Sequence, residues 1–341
     1  MTRILKAPFP QFGGKSAVAA EVWARFGDVG NFVEPFAGSL AVLMGRPHPR
    51  GIETVNDLNG WLTNFWRALA ADPEGVARAA DWPVSELDLH SRGDWLFYRA
   101  GVDEWVERLR ADPDFYDVKS AGWWAWGQSS WIGDNWGRKD CRSIPHLGNA
   151  GQGVNRQLPH LSDAGKGVNR QLPHLGNAGR GEADLEPPTV TPRTHDLIAY
   201  FRQLAARLRG VRVCCGDWAR VCGPSVTTKL GLTGVFLDPP YAAAGRDSVY
   251  GEHESFTVAH DVREWAVAQG ENPLMRIALC GYDEHDGAMP PGWTRFAWKT
   301  SGGYGSQNRR GNANAERETI FFSPNCLNPA REMALEFEEE R

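Results

Sequence analysis

What the chain lacks narrows it first. No apolar run approaches the roughly 20 residues that a bilayer-crossing helix needs. The opening Met1-Thr2-Arg3-Ile4-Leu5-Lys6 has neither the long apolar stretch nor the small-residue cleavage site of a secretory signal, so cytoplasmic residence is the expectation. Six cysteines are present (Cys141, Cys214, Cys215, Cys222, Cys280, Cys326), and no two of them form a Cys-x-x-Cys pair. Neither a zinc site nor a disulfide framework is signalled, no metal is expected, and the thiols read as buried or idle. A net charge of −5 argues against a generically basic coat for nucleic acid. With 42% hydrophobic and 23% charged residues, the 341-residue chain is neither disordered nor fibrous. It is long enough for a sizeable core, as one large domain with an insertion or as two domains.

The charge it does carry is unevenly placed. Residues 138–180 hold seven Lys/Arg (Arg138, Lys139, Arg142, Arg156, Lys166, Arg170, Arg180) against Asp140 and Asp163. Residues 299–317 hold Lys299, Arg309, Arg310 and Arg317 against Glu316, whereas residues 331–341 are rich in Glu. Basic charge is thus confined to two patches on an acidic protein.

Along the chain, residues 32–36 read as a strand running into the small-residue turn Ala37-Gly38-Ser39, with a helical stretch at 40–44 closed by Gly45 and Pro47. A second strand at 52–55 ends at Asn56-Asp57. Asn59 is suited to cap a helix over 60–70, whose Trp61, Leu62, Phe65, Trp66 and Leu69 fall at helical spacing. Strand, turn, helix, strand, acid opens a doubly wound α/β sheet. Between 72 and 190 the alternation fails. Helices are expected near 74–80 and 102–110, followed by a Gly/Ser-rich stretch crowded with Trp123, Trp124, Trp126, Trp131 and Trp136, which reads as the core of an inserted domain. A fourteen-residue repeat follows over 144–185; its Gly and Pro content favours hairpin-like loops over helix. The α/β pattern then resumes, with a helix at 196–209, strands at 211–215 and 234–237, a helix near 257–269, and strands at 276–280 and 318–322.

The most restrictive string is Val235-Phe-Leu-Asp-Pro-Pro-Tyr241. An apolar strand end meets an acid, two prolines without backbone N–H groups, and an aromatic plate. An ionised Asp238 accepts hydrogen bonds only, and no proline donor competes for the carbonyls beside it. Two acceptors next to a flat ring suit a planar base with an exocyclic NH₂. Pulling on both N–H hydrogens from Asp238 and the Pro239 carbonyl frees a nitrogen lone pair that is otherwise delocalised into the ring. A plain Pro-Pro turn after a core strand is the bland alternative.

With these pieces placed, the chain resembles the Dam-like DNA adenine N6-methyltransferases. The elements occur in that family's order: Pro8-Phe9-Pro10-Gln11-Phe12-Gly13-Gly14-Lys15, Glu34-Pro35-Phe36-Ala37-Gly38-Ser39, Asn56-Asp57, Gly216-Asp217, and Asp238-Pro239-Pro240-Tyr241. The likeness covers roughly 8–70 and 195–325 and only loosely the insertion. It implies an α/β fold, a doubly wound Rossmann-like methyltransferase sheet with an inserted target-recognition domain. Its implied limits are a discontinuous catalytic domain (1–71 and 191–326), the insertion (72–190) and an acidic tail (327–341).

The resemblance further implies S-adenosylmethionine as cofactor, double-stranded DNA as substrate, a monomer, and methyl transfer to N6 of a flipped-out adenine, with either site-specific or relaxed recognition. Catalysis falls to Asp238, Pro239, Pro240 and Tyr241, with Tyr241 stacking on the target base. Cofactor contacts fall to Phe12, Gly14, Lys15, Glu34, Pro35, Phe36, Gly38, Ser39, Asn56, Asp57, Asp217, Trp218 and Asp238. Lys15 is expected near the cofactor's methionine carboxylate, and Asp57 at the ribose hydroxyls or as a helix N-terminal acid. Asp217 is expected at the cofactor's adenine amine or as a turn cap. Phosphate and base contacts are expected from Arg138, Lys139, Arg142, Asn155, Arg156, Lys166, Asn169, Arg170, Arg309 and Arg310. Two departures stand out: Leu40 occupies the place of a second glycine, which predicts a different track for that loop, and Gln11 stands where relatives often have an aromatic residue. The rival functions are N4-cytosine or RNA adenine methylation and an inactive DNA-binding relative.

Overall fold

Short strands that are apolar throughout, separated by helices, require a sheet covered on both faces. The computed structural model describes residues 5, 8–9, 15–47, 51–112, 114–131, 136, 192–240, 258–282, 289–298 and 318–328. Its elements are α1 (Ala19–Phe26), β1 (Asn31–Glu34), α2 (Ala41–Met44), β2 (Ile52–Asp57), α3 (Gly60–Ala71), α4 (Pro73–Ala80), α5 (Glu86–Tyr98), α6 (Val102–Ala111), α7 (Val118–Ser130), α8 (Pro192–Leu208), β3 (Val211–Cys215), β4 (Thr233–Leu237), α9 (Val258–Gln269), β5 (Met275–Tyr282), β6 (Thr294–Ala297) and β7 (Glu318–Phe322). The seven strands are ordered β3-β2-β1-β4-β5-β7-β6. β1 pairs in parallel with β2 and with β4, β4 pairs in parallel with β5, and β7 runs antiparallel to both β5 and β6. This is a Rossmann-like α/β sheet, as expected. Every residue of β1, β4 and β7 is buried, including Phe32, Val33, Val235, Phe236 and Phe321.

The chain divides into two compact units. One comprises 1–6, 13–58 and 216–341; the other comprises 7–12 and 59–215. The breaks fall at Leu58/Asn59 and Cys215/Gly216, so α3, α8 and β3 group with the helices of the second unit, outside the span 72–190 set from sequence. In the second unit α3 and α4 pack on α7 and α8. Asn59 caps α3 as expected, its Oδ1 accepting from the Trp61 and Leu62 N–H groups.

Helices α1, α5 and α7 and strand β6 have no counterpart in the sequence reading. The Gly/Ser-rich tryptophan stretch forms most of α7, although glycine disfavours a helix interior. Asp117 caps this helix by accepting from the Ser120 N–H (2.9 Å), and it exchanges two hydrogen bonds with Asn64 of α3. The glycines are there for close approach. A Cβ on Gly122 would lie 2.3 Å from Ala79 Cβ and 2.8 Å from the Val76 carbonyl; one on Gly127 would lie 2.1 Å from the Trp136 ring. Trp124, Trp126, Trp131 and Trp136 are buried, which bears out the reading of this cluster as core. The fourteen-residue repeat and the basic stretches 138–180 and 299–317 lie outside the described residues, Trp136 and Glu318 flanking them.

An exposed Gly→Ala change in a helix gains up to about 1 kcal/mol. Gly122→Ala is predicted to do the reverse, losing about 1–3 kcal/mol because backbone and Ala79 must shift. Urea denaturation of the two proteins measures the difference, and a stabilised variant contradicts this account of α7.

Candidate active site at the ends of β1 and β4

The sheet order reverses at β1, which sends the chain to β2 on one side and later to β4 on the other. Parallel doubly wound sheets open a crevice beyond the strand ends at such a point. The register Asn31↔Thr233, Phe32↔Gly234, Val33↔Val235 brings the Glu34 end of β1 beside the Leu237 end of β4. Asp238 follows directly, its side chain 21% accessible, with Pro239 buried and Pro240 half-buried behind it.

Lys15, in a 3-10 turn at Lys15–Ala17, places Nζ 2.9 Å from Asp238 Oδ2 and is itself only 5% accessible. Burial alone lowers the pKa of such an ammonium. The Asp238 carboxylate, with Cys280 and Glu318 close by, outweighs that effect and holds Lys15 charged, above its ordinary value. Trp298, just past β6, lies 5.8 Å from Nζ at its ring centroid, and its N–H donates to the Glu318 carbonyl. The ammonium therefore sits between a carboxylate and an aromatic face. Among the described residues the anion in reach of this buried cation is Asp238.

The rim facing β2 is held by one dipeptide, Asn56-Asp57. Asn56 Nδ2 donates to the Pro35 carbonyl (3.0 Å) and the Gly216 carbonyl (2.9 Å), and the Asn56 carbonyl accepts from the Ala37 N–H. Asp57 Oδ2 accepts from the Gly38 N–H (3.0 Å), and the Asp57 carbonyl accepts from the Gly216 N–H. Five hydrogen bonds thus tie the turn after β1 to the segment after β3. They bring Phe36 and Trp218 face to face, with centroids 6.3 Å apart and planes 28° apart. Asp217 caps the turn Trp218–Val221 by accepting from the Ala219 N–H, and it remains exposed. The capping reading of Asp217 is therefore realised, with its carboxylate still within reach of solvent. Ser39 is buried behind Gly38, which adopts φ 48°.

Leu40 leads from this loop into α2. It adopts φ 59°, ψ 29° and is the one non-glycine residue at positive φ among the described residues. The left-handed conformation costs a leucine about 1–2 kcal/mol. Its side chain is 0% exposed, and such burial stabilises by about 1.5–3 kcal/mol. The left-handed backbone goes with a leucine anchored in the core.

Glu34, at the tip of β1, is buried and accepts from the Leu43 N–H at 3.3 Å. Burial raises its pKa well above the carboxylate range. The Leu43 N–H works against that rise, and the charges of Asp238, Glu53 and Asp57 add to it.

The structure thus brings together Lys15, Glu34, Pro35, Phe36, Gly38, Ser39, Asn56, Asp57, Asp217, Trp218, Asp238, Pro239 and Pro240. Phe12, Gly14, Tyr241, Arg138, Lys139, Arg142, Asn155, Arg156, Lys166, Asn169, Arg170, Arg309 and Arg310 lie outside the described residues. Sequence reasoning missed Cys280 within β5, Trp298 just past β6 and Glu318 at the start of β7; only their places near Lys15 reveal them, and no local motif does.

Residues 12–112 match the model of the D12 class N6 adenine-specific DNA methyltransferase family. That span includes Lys15, the Glu34–Ser39 turn and the Asn56-Asp57 hub, and Asp238 completes the motif order beyond it. This match supports a Dam-like adenine methyltransferase. No curated protein matches the chain. The methyltransferase is accordingly an enzyme acting on DNA, and no helix among its described residues is long and apolar enough to cross a membrane.

A raised carboxyl pKa favours folding below the unfolded value, about 4.3 for Glu, and loses that advantage as pH rises above it. Glu34→Gln is therefore predicted to raise the melting temperature of the methyltransferase at pH 7, with a smaller gain at pH 4. Calorimetry at the two pH values measures this; a lower melting temperature at pH 7 contradicts the burial argument.

Proposed function

We propose that this methyltransferase transfers a methyl group from S-adenosylmethionine to N6 of an adenine extruded from duplex DNA, with Asp238 as the group that engages the amine. The observation that carries this reading is an accessible carboxylate clamped by a buried ammonium at the sheet's reversal point, next to an aromatic pair and a half-buried acid.

The residues present fit the donor. Gly38 at positive φ lets a ligand approach the strand ends without a Cβ in the way. Asp57 at the end of β2 suits ribose hydroxyls, Phe36 and Trp218 suit an adenine ring, and Asp217 suits its amine. Asn56 Oδ1 is buried with no hydrogen-bond partner among the described residues, which marks the hub as a polar wall. When bound, S-adenosylmethionine supplies a methyl group activated by its sulfonium.

The chain's own part is positioning and charge. A paired base must leave the duplex to reach such a site, and Tyr241 stacks on it, contributing on the order of 1–3 kcal/mol. Asp238 and the Pro239 carbonyl accept the two N6 hydrogens. As N6 gains its bond to carbon, positive charge grows on nitrogen, and the fixed carboxylate stabilises it and takes the proton. Proximity contributes most of the acceleration. Lys15 fixes the place of the Asp238 carboxylate before the amine arrives.

Contact with DNA falls to the basic stretches. Residues 72–131 carry twelve Asp/Glu against six Lys/Arg. Of those cations, Arg92 lies over Trp82, Trp123 and Trp126, Arg99 over Trp95, and Lys119 over Trp95 and Trp123. An acidic helical region, three of whose six cations already face tryptophans, repels phosphate, so Arg156, Lys166, Arg170, Arg309 and Arg310 carry the attraction.

Asp238→Asn keeps the side-chain shape and loses the charge. It is predicted to lower single-turnover methyl transfer by about a hundredfold or more while S-adenosylmethionine still binds by calorimetry; near-normal turnover refutes the assignment. Deleting 144–181 is predicted to flatten the dependence of DNA affinity on salt, measured by fluorescence anisotropy across a salt series. An unchanged slope removes that segment from the interface.

A further inference from the structure

A cavity of about 310 Å³ opens among α3, the end of α8 and β3, wholly within the second unit. Its walls are mostly apolar, Ala205, Leu208 and Val211 among them. The lining includes two cations, Arg67 and Arg209, and no acid. Arg67 is held in place: its Nη1 donates to the carbonyls of Leu109 (3.0 Å), Asp112 (3.1 Å) and Phe115 (2.8 Å). Those acceptors are neutral, so the guanidinium is fixed without being paired to an anion among the described residues. Arg209 is exposed just past α8 and likewise has no ion-pair partner among them. Trp66 also lines the cavity. It is 2% exposed, and its indole N–H has no hydrogen-bond partner among the described residues.

We propose that this cavity binds a small organic anion, a carboxylate carried on a compact apolar body. The apolar walls take the body, the two arginines attract the charge, and a carboxylate oxygen accepts from the Trp66 N–H. A buried donor without an acceptor is costly, and a ligand acceptor removes that cost. Two unpaired cations disfavour a cationic ligand, whereas arginine matches a carboxylate in both charge and geometry. A bare inorganic anion leaves the apolar walls unused. The volume lies at the small end of the range for ligand pockets, about 300–1,000 Å³, so the apolar body is one or two rings or a short branched chain. No lining residue belongs to the site at the ends of β1 and β4, and the proposal stands apart from the methyl-transfer reading.

The probe is 2-naphthoate, with 2-naphthamide as its neutral counterpart and inorganic phosphate as charge without an apolar body. Each is titrated into the full chain by calorimetry and by NMR of isotope-labelled indole nitrogens, the Trp66 signal being identified by its loss in Trp66→Phe. 2-Naphthoate is expected to bind saturably and to shift the Trp66 N–H signal downfield. The amide is expected to bind about tenfold more weakly or worse, and phosphate not to bind measurably. Ala205→Phe fills the cavity and is expected to abolish binding, with the melting temperature and S-adenosylmethionine affinity unchanged. Arg209→Gln, at an exposed position, is expected to weaken binding about threefold, and it carries the test if Ala205→Phe does not fold. A Trp66 signal that does not move, acid and amide that bind equally, or full binding to both variants overturns the proposal and leaves the methyl-transfer reading intact.

Discussion

β1 pairs in parallel with β2 on one side and β4 on the other, and every functional placement in this molecule descends from that arrangement. Parallel pairing makes the three strands end on the same edge of the sheet. The acid after β2, the turn after β1 and the Asp-Pro-Pro corner after β4 therefore gather there without any long-range design of loops. The segment after β3 joins them through Gly216, whose carbonyl accepts from Asn56 Nδ2 and whose N–H donates to the Asp57 carbonyl. Buried backbone groups at such junctions need partners, and Asn56 satisfies two carbonyls from two different segments with one amide nitrogen. That economy makes the aromatic pair Phe36–Trp218 a consequence of β2 ending in Asn-Asp.

Electrostatics then differentiates the acids on this edge. Asp238 has a buried ammonium within hydrogen-bond reach, whereas Glu34 has burial and like charges around it. One carboxylate is ion-paired at the open end of β4; the other is driven toward its neutral form inside the wall. Two acids close in space thus serve as charge and as structure because their surroundings differ. A buried pair such as Lys15–Asp238 is weak evidence for stability, since desolvation offsets much of the attraction. Its value here is conformational: it fixes where the negative charge stands.

Much of this edge was legible in the sequence, because its parts are short strings with strong local preferences. Val-Phe-Leu before Asp-Pro-Pro can hardly be other than a buried strand meeting a corner, and Asn59 before an apolar helical pattern is a cap. What resisted reading was whatever depends on partners far along the chain. α7 is not read as a helix until Ala79 and Trp136 are brought against its glycines. The ion pair of Lys15 with Asp238 joins residues more than two hundred positions apart. The left-handed backbone of Leu40 goes with a side chain anchored in the core. Cys280 and Trp298 belong to no motif at all; parallel register and a strand end place them next to the site.

The central claim is that the Asp238 corner methylates the exocyclic nitrogen of adenine. The most direct measurement incubates the purified protein with S-adenosylmethionine and unmethylated duplex DNA, digests the DNA to nucleosides and identifies the product by mass spectrometry against synthetic standards. The account predicts N6-methyl-2′-deoxyadenosine as the modified nucleoside. A product methylated on cytosine, or DNA left unmodified by a folded protein that binds the donor, contradicts it.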